Sequence, residues 1–389
     1  MYYNIRNLIT NKKEYPLYKF YSSEIKKTIL NGRISENQKL PPTRVLSKDL
    51  SISRTTALKI YDLLLFEGII SSKKGSGYYV AYKKTKKKEK KLKMNLLYPS
   101  LSKKSKLFNH KKYLSTDNFS KTGVAFRPGL PPLDIFPVNK WKNISNKFWR
   151  LSKPSDLSYA PAEGLEELRI NISNYLKIYR NIRCDYNQII ITSGSLHSLY
   201  LISNSIIDNG DKIGMENPTF PRAFNLFKSL KAEILPCEID KEGIVLNNLN
   251  PKVKFIYTTP SNQYPLGVKM SLERRKEIIK WISNNNSIII EDDYDHEFSN
   301  LRNPIPSLYS LDNEDRIVYL GTFNKLLHPS LRIGYIIVPK FLSRSITSIY
   351  EQSFRFVPSS TQKIMSTFIE KDYLKLFDKF TSHSNITSS

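Results

Sequence analysis

Six short apolar runs set the frame for residues 121–379. They are QIIIT (188–192), KIGME (212–216), VKFIYTT (253–259), SIIIEDD (287–293), RIVYL (316–320) and GYIIV (334–338). Amphipathic stretches of helix length separate them. Apolar runs without polar alternation are strands covered on both faces. Their alternation with helices predicts an α/β domain built on a mostly parallel sheet. No short-period internal repeat accompanies the pattern.

The first eighty residues obey another rhythm. LYKFYSSEIKKTILNG (17–32) has its apolar residues at helical spacing, and Gly32 ends it. TRVLSKDL (43–50), after Pro41-Pro42, reads as a short second helix. SRTTALKIYDLLLFEG (53–68) reads as a third, with Ser53 as N-cap and Gly68 as stop. IISSKKGSGYYVAY (69–82) reads as a hairpin turning at Gly75-Ser76-Gly77. Three helices and a glycine-tipped hairpin make a winged helix-turn-helix, whose third helix enters a DNA major groove. Its first turn, Ser53-Arg54-Thr55-Thr56, sets hydroxyls around one guanidinium, which suits phosphate and guanine. A helical bundle that binds no DNA has no need of a polar turn there.

These patterns divide the chain into a DNA-binding domain at 15–82, a basic connection at 83–120, an α/β domain at 121–379 and a polar tail at 380–389. The stretch KKTKKKEKKLK (83–93) has eight lysines and one glutamate, so it repels itself and extends. A length of 389 residues agrees with two domains. Sixty-one Lys and Arg against 35 Asp and Glu leave a net charge of +26. That balance suits a polyanionic partner, but an AT-rich coding bias towards lysine gives the same figure, so charge alone does not decide. No run of 18 apolar residues predicts a membrane span. MYYNIRNLITNKKEYP has no secretory pattern. Cys184 and Cys237 match no metal-ligand spacing, and two distant thiols suit a reducing cytoplasm.

The segment NGRISENQKLPPTRVLSKDLSISRTTALKIYDLLLFEGIISSKKGSGYYV resembles the DNA-binding domain of GntR-type repressors. It carries basic-Leu-Pro-x-x-Arg, then Ser-Arg-Thr-Thr, then Glu-Gly, then Gly-x-Gly. The resemblance implies that Arg44 contacts DNA from the second helix and that Arg54, Thr55 and Thr56 do so from the third, capped by Ser53. It makes Gly75, Ser76 and Gly77 the wing tip.

In YLGTFNKLLHPSLRIGY (319–335) a lysine, Lys325, sits in an apolar setting. Burial disfavours its charge and makes the amine a nucleophile towards aldehydes. An aldehyde cofactor bearing a phosphate and a pyridine needs further groups. Gly194-Ser195 in IITSGSLHSLYL (190–201) lies between a strand and a helix, where backbone N–H groups favour an anion. Asp292 in IIIEDDYDHEF (288–298) closes a strand and suits a pyridinium N–H. The same acids could instead be a solvated loop, or a metal cluster with Asp293, Asp295 and Glu297; the triple Ile ahead favours burial of the first. Tyr294 offers a phenol. Phe220 in ENPTFPRAF (216–224) offers a stacking face, or is a core residue.

In this order the residues resemble fold type I pyridoxal-phosphate enzymes of the class I aminotransferase group. The resemblance implies pyridoxal 5'-phosphate held as an internal aldimine on Lys325, with Arg332, Thr322, Gly194, Ser195 and Leu196 about its phosphate. It implies Asp292 at the pyridine, Tyr294 at the ring hydroxyl and Phe220 on the ring. TTPSNQYPLG (258–267), with Asn262, becomes the loop facing cofactor and substrate. SYAPAEGLEELR (158–169) resembles the family's segment whose tyrosine reaches the phosphate of the partner subunit, which implies that role for Tyr159. FRPGLPPLDIFP (126–137) matches the opening motif. Arg222 is the obvious remaining anchor for a substrate carboxylate.

A GntR-type reader fused to such a domain resembles the MocR subfamily. That implies a winged helix-turn-helix joined to a fold type I large domain with a mostly parallel seven-stranded sheet. It also implies a double-stranded operator, a homodimer, a cytoplasmic place on the nucleoid, and an effector of amino-acid or vitamin B6 type. The rival readings are a working aminotransferase and a remnant that binds nothing. Departures from the family are Asn324 in place of serine before the lysine, and Leu196 and His197 in place of glutamines. The sequence also ends at Ser389, ahead of the family's small domain, which holds the arginine for the substrate carboxylate. On that reading Ile364, Phe368, Leu374 and Phe377 are expected to face solvent.

Overall fold

The computed structural model describes residues 16–82, 102–108, 131, 133–246, 249–296 and 305–375. The chain divides into two compact units, Met1–Ser100 and Leu101–Ser389.

In the first unit, α1 (Leu17–Leu30) starts behind Pro16, and Gly32 at φ 76° turns the chain away. Helix α2 (Thr43–Leu50) follows the two prolines and ends at Ser51 in the left-handed conformation. Helix α3 (Arg54–Phe66) starts at Ser53, whose hydroxyl accepts from the Thr56 N–H at 3.1 Å. Strands β1 (Ile70–Lys73) and β2 (Gly77–Val80) form the antiparallel wing. Tyr21, Ile25 and Ile29 of α1, Leu46 and Leu50 of α2, Ala57, Ile60 and Leu64 of α3, and Ile70 and Val80 of the wing make one core. The buried Tyr61 hydroxyl donates to the Pro41 carbonyl at 2.6 Å and ties α3 to the loop ahead of α2.

The second unit opens with α4 (Lys103–Phe108) and α5 (Val138–Leu151), then α6 (Glu166–Tyr179). There follow β3 (Ile189–Thr192), α7 (Ser195–Ile206), β4 (Lys212–Glu216), α8 (Pro221–Ser229) and β5 (Glu233–Cys237). A short hairpin, β6 (Ile239–Asp240) and β7 (Gly243–Ile244), leads to β8 (Phe255–Thr258), α9 (Leu272–Asn284) and β9 (Ile288–Asp292). Last come α10 (Leu308–Leu311), β10 (Ile317–Thr322), β11 (Gly334–Ile337), α11 (Lys340–Ser353) and α12 (Ser359–Glu370).

Seven strands pair in the order β3-β11-β10-β9-β8-β4-β5, and β11 alone runs antiparallel to its neighbours. Alternation along each strand divides the core. Ile189, Ile191, Tyr319, Tyr335 and Ile337 face a layer that includes α6 and α12, with Ile144 of α5 among its buried residues. Ile190, Val318, Leu320 and Ile336 face a layer drawn from α7, α8 and α11. The strands read as unbroken apolar runs because both faces are covered.

Two expectations change. The six runs omit β5, whose EILPC carries Pro236. Proline has no N–H to give a ladder, and the chain tolerates it there because β5 is the edge strand. Ile364, Phe368 and Leu374 do not face solvent. Helix α12 packs against α5 and α6, and all three side chains join the core of that layer. Phe377 lies outside the described residues, as do most of the basic connection (83–93 included), residues 126–130 and 132 of the opening motif, and Glu297.

Candidate functional site

The first unit presents the opening turn of α3. Arg54 and Thr55 are exposed. Ser53 and the half-buried Thr56 share a hydroxyl hydrogen bond of 2.8 Å, so much of their capacity goes to capping the helix. Arg44 is exposed on the first turn of α2. Gly75 (φ 76°) and Gly77 (φ 109°) hold left-handed conformations in the wing turn, with Ser76 exposed between them.

In the second unit a cavity of about 370 Å³ opens at the C-terminal ends of β3, β4, β8, β9 and β10. That is where open α/β sheets bind ligands. Ser195 and Leu196 enter from the start of α7, and Phe220 and Arg222 from the start of α8. Asp292 closes β9 and Tyr294 follows it; Thr322 closes β10, and Lys325 and Arg332 lie beyond it. Gly194 must be glycine: its φ is 108°, and a Cβ there would lie 2.7 Å from the Asn324 amide nitrogen. It leaves the N-terminus of the 12-residue α7 open opposite Arg332, a place that favours an anion.

Lys325 is half-buried. Burial lowers its pKa, while Asp295 and Asp292 pull the other way. Its Nζ stands 4.9 Å from the centre of the Tyr294 ring, and Tyr294 donates to the Asn262 carbonyl at 3.0 Å. Asp292 is buried, and burial pushes its carboxyl up to about 7 against the hydrogen bond from Tyr257. Tyr257 donates to Oδ2 at 2.8 Å, while the buried Oδ1 has no partner among the described residues. The neighbouring Asp293 has a different task. It accepts from Arg180 Nε at 2.8 Å and from the Tyr319 hydroxyl at 2.7 Å. Burial opposes its charge, yet Arg180 prevails and holds the carboxyl well below the usual range.

His197, the departure beside the phosphate turn, supports that turn from beneath. Its Nδ1 accepts the Ser193 N–H at 3.1 Å and lies 2.8 Å from the Ser193 hydroxyl. Burial, then Arg332, push its pKa down to about 4, so the ring is neutral at ordinary pH. Buried Glu216 secures the loop after β8 by accepting from Thr258, from the N–H and hydroxyl of Thr259, and from Gln263.

Three anticipated residues stand outside the cavity lining: Gly194, whose part is to open the turn, Asn262 and Tyr159. The Asn262 amide donates to Asp295 at 2.6 Å. Tyr159 is 74% exposed, with the Arg355 guanidinium 4.2 Å from its ring centre. Thr259 and Tyr264 come from the 258–267 loop expected to face the cofactor, whereas Pro221, Tyr257 and Pro329 of the lining escaped the sequence. Tyr264 meets Phe220 edge-on at 5.6 Å. The one signal for Tyr257 was a phenol inside an apolar strand run.

The residues fit pyridoxal 5'-phosphate. A buried carboxylate oxygen without a donor suits a ring N–H, a helix N-terminus beside a guanidinium suits a phosphate, and an amine of lowered pKa suits an aldehyde.

Residues 129–380 match the family model described as aminotransferase class I and II, and residues 17–80 match that of bacterial regulatory proteins of the gntR family. The chain thus joins a GntR DNA-binding domain to a fold type I aminotransferase domain. It is 31% identical over 363 residues to the probable rhizopine catabolism regulatory protein MocR of Rhizobium meliloti, covering 92% of this chain and 72% of that one. It is 33% identical over 374 residues to the uncharacterized HTH-type transcriptional regulator YdeL of Bacillus subtilis, covering 94% and 76%. An archaeal alanine:glyoxylate aminotransferase superposes with a TM-score of 0.61 at 30% identity, covering 64% of each chain. The chain belongs to the MocR-type branch of the GntR regulators.

Proposed function

We propose that this DNA-binding regulator holds pyridoxal 5'-phosphate on Lys325 and uses the loaded cavity to sense a small amine or a B6-type compound. The observation that carries the reading is the lone buried oxygen of Asp292 in the same cavity as Lys325. When bound, the group supplies an aldehyde for an amine and an electron-withdrawing ring. Lys325, its charge disfavoured by burial, offers the amine. Asp292 accepts the ring N–H while Tyr257 occupies its other oxygen. Ser195, Thr322 and Arg332 hold the phosphate, and Phe220 covers the ring. Arg222, exposed at the cavity, is the anchor for an effector carboxylate. Exposed Tyr159 suits a role in a neighbouring subunit, and a homodimer would place two readers on two half-sites. The domain bounds proposed are 15–82 and 121–379, and the setting is the cytoplasm, on the nucleoid.

The test is the near-visible absorbance of the purified protein with pyridoxal phosphate. A lysine-linked cofactor gives a band that borohydride abolishes by fixing the adduct. Lys325→Ala is expected to lose both the band and the fixed adduct, and an adduct retained in that variant would overturn the assignment. Turnover near the ordinary enzyme median of about 10 per second with an amino acid would favour the aminotransferase reading instead.

A further inference from the structure

The wing is wider than its hairpin. On its free side β2 pairs with residues 37–40: Asn37 N–H donates to the Val80 carbonyl (2.9 Å), Val80 N–H to Gln38 (3.1 Å) and Leu40 N–H to Tyr78 (2.8 Å). The registers place Lys39 and Ser71 opposite Tyr79, and Lys73 opposite Gly77. Opposed residues share a face, and so do residues two apart along a strand. One face therefore carries Leu40, Ile70 and Val80, all buried in the core of the unit. The other carries Lys39, Lys73, Gly77 and Tyr79.

On that outer face two ammonium groups attend one ring. Lys73 Nζ is 4.9 Å from the centre of Tyr79, and Lys39 Nζ is 5.8 Å from it. The Tyr79 and Ser76 hydroxyls share a hydrogen bond of 2.7 Å, which fixes the ring against the turn. The Lys39 stem lies beside Gly77, 3.4 Å from where a Cβ would stand. The ring's electron-rich face attracts each cation, but two like charges about one ring also repel. An anion laid across them removes the repulsion. The wing shares its core with α3. A helix seated in a groove therefore brings the wing to the flanking backbone.

We infer that the outer face of the wing, with the bridged residues 37–40, grips the phosphate backbone of duplex DNA, with Lys39 and Lys73 as its contacts and Tyr79 as the residue that stations them. The inference rests on the DNA-binding reading and adds residues outside the α3 turn and the glycine tip.

The experiment is fluorescence anisotropy of the full chain on a labelled mixed-sequence duplex over a range of KCl concentrations. Lys39→Ala and Lys73→Ala are each expected to flatten the salt slope by about 0.9, roughly an eightfold loss of affinity at 0.1 M salt. The double variant is expected to lose about twice that slope. Lys39→Arg keeps it. Tyr79→Leu weakens binding at unchanged net charge. Lys280→Ala, an exposed lysine of α9, is the control for charge alone and leaves the slope in place. If Arg54→Ala weakens binding while the wing lysine variants match the parent chain, the inference falls and the DNA reading stands. A Lys280→Ala effect equal to that of Lys39→Ala also overturns it, because the slope then reports overall charge. Failure of the parent chain to bind any duplex at low salt would overturn the DNA reading, and the inference with it.

Discussion

Asp292 shows how one carboxyl can be shaped for a ligand. In the free protein its pKa of about 7 lies above the ordinary carboxylate value because burial outweighs the Tyr257 hydrogen bond. The folded state therefore holds a proton that the unfolded chain releases near pH 4. Stability is fullest below the unfolded value and falls as pH rises towards 7, where the buried charge must be carried. Asp292→Asn removes that dependence. Cofactor-free Asp292→Asn is expected to gain on the parent chain by on the order of a few kcal/mol between pH 4 and pH 8, because each pH unit separating the unfolded from the folded pKa is worth about 1.4 kcal/mol. Thermal melts of the two proteins across this range check it, and parallel pH profiles would refute the assignment. Lys325 was legible from its neighbours in sequence. Tyr257 was not: it lies 35 positions before Asp292, and only the pairing of β8 with β9 joins them.

Among the elements, α12 most clearly separates pattern from outcome. Read alone, Ile364 and Phe368 form an apolar stripe waiting for a cover. In the fold that cover is α5 and α6: Phe368 meets Trp141 with ring centres 5.5 Å apart, and the Gln362 side chain accepts the Leu165 N–H at 2.8 Å. Phe368→Ala is therefore expected to destabilise the domain by about 3–5 kcal/mol, read as a lowered midpoint in denaturant at an unchanged slope. A change within about 0.5 kcal/mol would mean that the side chain is solvated. Helices α1, α2 and α3 were legible almost to the residue because prolines, Ser53 and glycines punctuate them. β5 was illegible because edge position, which excuses Pro236, is a property of the sheet.

At the scale of the molecule, charge and chemistry are dealt to different parts of the chain. Replacing the eight lysines of 83–93 by serine takes the net charge from +26 to +18. Binding to mixed-sequence duplex is expected to weaken and its salt slope to flatten, while preference among sequences, set by side chains such as Arg54, is retained. Titrations of parent and variant on several duplexes check both parts. Unchanged binding to mixed-sequence DNA would remove the segment from the interface.

The sequence by itself determined what depends on neighbours along the chain. That includes the helices and wing of the reader, the strands of the sheet interior, the Gly194-Ser195 turn, and the stretch from Thr322 through Lys325 to Arg332. Only the tertiary structure decided what depends on distant segments meeting. It divided the adjacent acids, giving Asp292 to the cavity and Asp293 to Arg180, 113 positions away. It fastened the loop after β8 to Glu216, brought residues 37–40 beside Tyr79, and buried α12 under α5 and α6. A local pattern records the bonds that a residue makes with its own turn or strand. Which buried charge finds a partner, and which stays open for a ligand, follows from the order in which the strands pair.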